Sequence, residues 1–140
     1  MLQVHDSAAR WRSFLQETHA NDVSNLAAQW PTNTSMKIPF ETIQSWDPGF
    51  AEMLLQHPRD VIRNGTNSLR SLARESGYDV DLIIRITHLP PDSKVNLRDI
   101  GSEAIEGFIS SEVIVTKVSE LKPRIYYGVF RCSSCGATLE

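Results

Sequence analysis

The hydrophobic period of this chain changes once, between Gly77 and Asp81. Before that point apolar residues recur every three or four positions, the spacing of one helix face; after it they alternate, the spacing of a half-buried strand. Ala8, Trp11, Phe14 and Leu15 make one stripe, and Val23, Leu26, Ala27 and Trp30 make another. Val80, Leu82, Ile84 and Ile86 alternate with Asp81, Ile83, Arg85 and Thr87. A chain of 140 residues with a single change of period is expected to be one α+β domain, or two small subdomains sharing a core.

Local punctuation places the elements. Asp6 or Ser7 can open a first helix and Asn21 or Asp22 a second, by accepting from the free amides of the first turn. Met36, Ile38 and Phe40 alternate with Lys37 and Pro39, which predicts a short strand, and Pro39 places it at a sheet edge. Asp47-Pro48 and His57-Pro58 each start a helix with proline at its first position, where the missing N–H costs nothing. Phe50, Met53 and Leu54 face inward from the first of these; Val61, Ile62, Leu69, Leu72 and Ala73 continue the second across an interruption at Asn64-Gly65. Gly77 suits a left-handed helix end. The three tryptophans and Phe50 are expected as core anchors. In the second half Pro90 to Ser93 reads as a turn, Val95 and Leu97 as a short strand, Ser102 to Ile105 as one helical turn, and 108–118 and 125–130 as strands.

Charge narrows the function classes. The net charge is -3, so nucleic acid could be held only by a local basic patch. One exists: Lys117, Lys122, Arg124 and Arg131 face only Glu120 within fifteen residues. It reads either as a solvated strand face or as a short track for phosphates. No apolar run approaches the roughly 20 residues of a membrane span, and the first residues lack the basic-then-apolar order of a secretory signal. A cytoplasmic protein with no membrane partner is expected.

Cys132-Ser133-Ser134-Cys135-Gly136 is the sharpest chemical signal. Two thiolates at this spacing can share one tetrahedral zinc, and the glycine lets backbone amides turn toward the sulfurs. A closed site needs four ligands, so Cys132 and Cys135 make half of one. The other readings are a redox dithiol, which usually has a helix N-terminus after the motif, and two inert cysteines. His5, His19, His57 and His88 are scattered. There is no G-x-x-x-x-G-K-[ST] loop, no G-x-S-x-G elbow and no H-E-x-x-H pair, so no catalytic constellation is expected in this chain.

Four stretches together resemble one family. They are Phe40 to Pro58, with its aromatic, acidic turn and apolar helix; Ile84-Arg85-Ile86 followed by Leu89-Pro90; Leu97-Arg98-Asp99-Ile100-Gly101-Ser102; and Ile114-Val115-Thr116-Lys117-Val118-Ser119-Glu120 through Lys122-Pro123 to Val129-Phe130-Arg131-Cys132 and Cys135-Gly136. In that order and spacing they are similar to the N-terminal region of minichromosome maintenance (MCM) replicative helicases, the archaeal ones above all. The matches span most of residues 36–136.

The resemblance implies an α+β fold: a helical bundle over 1–78, with a short strand near 36–40, packed on an incomplete oligonucleotide-binding barrel (OB-fold) over 79–140 that ends in half a zinc ribbon. It implies a non-catalytic module that binds single- or double-stranded DNA and supports hexameric or double-hexameric rings, near the nucleoid, with other replication proteins as partners. Lys117, Lys122 and Arg124 match basic positions of the family and are the expected DNA-binding residues. Cys132 and Cys135 are the expected metal ligands, with a complete zinc site only in a longer parent and ATP only in its motor domain. The chain departs from the family at Val113, usually glycine, and lacks the second cysteine pair, the later barrel strands, the channel hairpin and the AAA+ motor. A fragment cut within the ribbon, or a reduced stand-alone homologue, is therefore expected. The alternative function is a protein-interaction module of the replication machinery, carried by the acidic helical half without DNA contact. The DNA reading requires residues 107–131 to be antiparallel barrel strands.

Overall fold

Prolines and acidic caps set the joints of the helical half. In the computed structural model, which describes residues 3–139, helices α1 (Ser7–Thr18) and α2 (Ala20–Ala28) lead to strand β1 (Ser35–Pro39). Helices α3 (Phe40–Trp46), α4 (Pro48–Gln56) and α5 (Pro58–Glu75) follow, then strand β2 (Ile83–Thr87). Asp47 caps α4: its Oδ1 accepts from the amides of Gly49 at 3.0 Å and Phe50 at 3.2 Å, and Pro48 takes the first helical position. Arg10 of α1 pairs with the same carboxylate, tying α1 to the α4 start. The first helix is opened differently from expectation. No side chain caps α1; the Asp6 carboxylate instead accepts from the Gln3 amide at 3.3 Å.

Helix α5 runs unbroken through Asn64-Gly65, and Trp11 explains why glycine is there. A Cβ on Gly65 would lie 2.7 Å from Trp11 Cε2, so the bare backbone is the notch that receives the indole. The indole Nε1 donates to the Val61 carbonyl at 2.7 Å, and the ring meets Phe14 and Phe50 in T-shaped contacts. Polar pairs line the same seam: Asn64 donates to Ser7 Oγ at 2.7 Å, and Ser68 Oγ donates to the Ala8 carbonyl at 3.0 Å. Gly77 ends α5 at φ +91, with the Tyr78 amide on the Ala73 carbonyl and the Gly77 amide on that of Arg74. Those two bonds are the Schellman pair that satisfies the last carbonyls of a helix.

Strands β1 and β2 pair in parallel, from Ser35 opposite Ile83 to Pro39 opposite Thr87. A parallel pair needs a long crossover, and α3 to α5 supply it. Helix α5 also holds β2 directly: Arg70 Nε donates to the Leu82 carbonyl at 2.9 Å, and Thr66 Oγ1 accepts from the Ile84 amide at 3.3 Å. Leu82 and Ile84 enter the core with Met36 and Ile38, as the alternation predicts. The core is thus shared by the helices and β2, and the folded unit crosses residue 78. No helix among the described residues is long and apolar enough to cross a membrane.

Several expectations fail. Trp30 lies beyond the end of α2 and is exposed, and Trp46 is half-buried, so only Trp11 is a fully buried tryptophan. Helix α3 follows β1 directly, where the sequence reading continued the strand to Phe40. The larger correction concerns the barrel. Lys94 and Ser110 form only an isolated bridge, with the Val95 amide donating to the Ser110 carbonyl, and after Ser111 no strand forms until Phe130. Residues 112–127 are all exposed. The antiparallel wall expected over 107–131 is therefore not formed among the described residues, and neither is a DNA groove built on that wall. The reason is pairing: a β-branched apolar run favours extended backbone, but its N–H and C=O groups make a sheet only beside another strand.

Candidate metal half-site and cationic arm

The cysteine knuckle is built by a small hairpin. Strand β3 (Phe130–Arg131) pairs antiparallel with β4 (Thr138–Leu139), Phe130 opposite Leu139 and Arg131 opposite Thr138. The Cys132 amide donates to the Ala137 carbonyl at 2.8 Å, and the Gly136 amide donates back to the Cys132 carbonyl at 2.9 Å. Gly136 turns the chain at φ +72, a conformation that other L-residues rarely adopt.

Cys132 is half-buried, Cys135 is exposed, and both are free thiols. The Cys132 thiol is held below its ordinary pKa by hydrogen bonds from the backbone amides of Cys135, first, and Ser134, then by the Cys135 side chain. Amides aimed at a sulfur favour thiolate, the form that binds metal. The donor set therefore fits two corners of a tetrahedral zinc site. Among the described residues no third His, Cys, Asp or Glu gathers with them. His19 packs against Phe14 at the end of α1, His57 lies between α4 and α5, and His88 follows β2. Strand β4, not a helix, follows the knuckle, so the helix dipole that often supports a redox dithiol is missing.

The basic arm lies just before the hairpin. Lys117, Lys122 and Arg124 are exposed on backbone that pairs with no strand, and none forms an ion pair among the described residues. The helical half differs. Arg10 meets Asp47, Arg12 meets Glu75 at 2.7 Å, Arg63 meets Asp60 at 2.8 Å, Arg70 meets Asp81 at 2.5 Å and Arg74 meets Asp79 at 3.2 Å. Five of its six arginines are paired with acids, Arg59 being the exception, while none of the three arm cations is paired among the described residues. The structure thus keeps the three predicted cations on one short segment beside the knuckle, but not on a barrel wall. It also exposes Tyr126 and Tyr127 between these cations and the knuckle, which sequence reading had assigned to a strand. The only available signal was a Tyr-Tyr pair between basic residues.

A cleft of about 570 Å³ lies between the α4–α5 joint and residues 106–107, lined by His57, Arg59, Asp60, Arg63 and Glu106. Arg63 is paired with Asp60, and no nucleophile–base pair stands there.

No protein-family model and no curated protein matches the chain. Among solved structures it is similar to the crystal structure of the N-terminal domain of an archaeal MCM, at a TM-score of 0.76 and 22% identity. The likeness covers 98% of this chain and 57% of that one. The chain has that fold, and it spans little more than half the length of the structure it matches.

Proposed function

We propose that this chain is a non-catalytic N-terminal module of an MCM-type replicative helicase, and that its arm contacts single-stranded DNA through Lys117, Lys122 and Arg124. The likeness in fold over nearly the whole chain supports the first part. The single observation that carries the second is the contrast in pairing: three arm cations without acidic partners among the described residues, next to a helical half in which five of six arginines are paired, Arg59 being the exception. The barrel-wall form of the DNA reading, which required antiparallel strands over 107–131, does not hold. What is proposed in its place is that an extended segment with spaced cations follows a phosphate backbone without a closed barrel. A complete oligonucleotide-binding barrel would require partner strands for residues 107–131 from another stretch of polypeptide. Assembly into rings would then multiply a weak contact by raising effective concentration.

In this reading Cys132 and Cys135 hold one side of a structural zinc, whose chemistry is to cross-link the knuckle to two further ligands. Nucleotide hydrolysis belongs to a motor domain, since these residues include no phosphate-binding loop. The setting is the cytoplasm at the nucleoid, and the partners are DNA, further copies and other replication proteins.

The test is salt dependence. Three phosphate contacts predict that log affinity for single-stranded DNA falls against log salt with a slope of about −2. Replacing Lys117, Lys122 and Arg124 together by glutamine should flatten that slope toward zero. An unchanged slope sinks the assignment. One observation favours the alternative, a protein-interaction module: among the described residues the large, fully buried side chains belong to the helices, to β1 and to Leu82 just before β2. Retained binding of a replication protein by the triple variant, with unaltered DNA affinity, would support it.

A further inference from the structure

We propose that Tyr126 and Tyr127 are a base-stacking step on the arm, so that the ligand is a single strand with exposed bases and not a phosphate chain as such. The inference rests on the phosphate-track reading above and adds the base-contacting residues to it.

The aromatic residues of the helical half satisfy one another. Trp11, Phe14, Trp46 and Phe50 form a network of edge-on contacts. Tyr126 and Tyr127 take part in no such contact among the described residues, and their exposures are 99% and 70%. The chain bends at these two residues. Gly128 shows how the inside of the bend is filled: a Cβ there would lie 3.3 Å from Phe130 Cε2 and 3.5 Å from Ile125 Cγ2. Ile125 and Phe130 lie against the glycine while staying largely exposed themselves, and the two phenols stand free beside them. Their hydroxyls tolerate water while their faces remain free.

Charge selects the occupant. Lys122 and Arg124 precede the tyrosines and Arg131 follows them, with Glu120 the one acid between Lys117 and Arg131. A surface of free π-faces within a cationic segment is complementary to an unpaired strand, whose bases stack and whose phosphates carry the opposite charge. A duplex hides its base faces, so it could use only the cations. Stacking accepts any base, and binding with little sequence preference is expected.

The full chain is titrated into two labelled strands of equal length, one of oligothymidylate and one of base-free deoxyribose phosphate. The thymidine strand should bind more tightly. Replacing Tyr126 and Tyr127 together by leucine should weaken it about ten- to hundredfold, leaving the base-free strand and the salt slope unchanged. Replacing both by phenylalanine should retain the affinity. Both positions are exposed, and an unaltered thermal midpoint verifies the fold of each variant. Equal binding of the two strands with a slope of about −2 leaves the phosphate track standing and removes the tyrosine assignment. A slope near zero removes the track as well. Loss of self-association in sedimentation, with thymidine affinity intact, assigns the tyrosines to a second copy and overturns the proposal.

Discussion

Gly65 has two effects in opposition. Alanine in a helix interior is favoured over glycine by about 1 kcal/mol, yet its Cβ would sit 2.7 to 2.9 Å from three atoms of the Trp11 indole. That ring is fully buried, its N–H is bound to Val61, and two phenylalanines hold it. It has nowhere to yield, so overpacking outweighs propensity. Gly65→Ala should destabilise the protein by about 1–2 kcal/mol, read as a lower urea midpoint at unchanged slope. A higher midpoint would mean that the indole gives way. From sequence, Asn64-Gly65 looked like an interruption of the helix. Glycine's helical role became visible only once a residue fifty-odd positions away lay against it. Asp47 is the opposite case. Its carboxylate, its proline neighbour and the amides it binds lie within four residues, and the sequence alone placed the cap.

Among elements, the α1–α5 pair carries a pH signature. The hydrogen bond from Arg12 holds the Glu75 carboxyl below its ordinary pKa, with the guanidinium charge acting in the same direction. A depressed folded-state value means that the pair stabilises the fold at pH above the ordinary carboxylate range and stops doing so as pH falls through the folded value. Both side chains are well exposed, so the contribution is small and screened by salt. Glu75→Gln should therefore be slightly less stable than the parent at neutral pH. Thermal midpoints of the two should converge in acid and also in high salt. A gap that persists in acid would assign the loss to packing. Reading elements from sequence succeeded where one period ran for several turns, as in α1 and α5, and where alternation had a core to face, as in β2. It missed α3, because seven residues between a strand and a proline cap carry too few turns to show a period. It overread 108–118 and 125–130, whose Val, Ile and Tyr content expresses willingness to extend and says nothing of a partner.

For the whole molecule, the division is between a packed unit and an arm. The core residues run from Trp11 to Ile84, and among the described hydrophobic residues beyond β2 only Leu89 and Phe108 pack against them. Phe108 is also anchored by its amide to the Leu55 carbonyl at 3.2 Å. Between Ser111 and Phe130 the backbone has no ladder to open before a protease can bind it. Limited trypsin digestion should cut after Lys117 and Arg124 well before it cuts at Arg63 or Arg74 within α5. Equal rates, followed by mass spectrometry, would show that the arm is covered in solution.

Local chemistry, then, was enough to set out helices α1, α2, α4 and α5, the Asp47 and Gly77 boundaries, the face of β2, the cationic segment and the cysteine pair. Each depends on neighbours within a turn or two, where backbone geometry dictates what can touch. Tertiary structure alone decided that β1 and β2 pair in parallel across three helices, that Gly65 receives an indole, and that residues 112–127 stay unpaired with their tyrosines turned to water. These are questions of which distant groups meet. A strand becomes a sheet, or a ring becomes core, only when the rest of the chain supplies the other side.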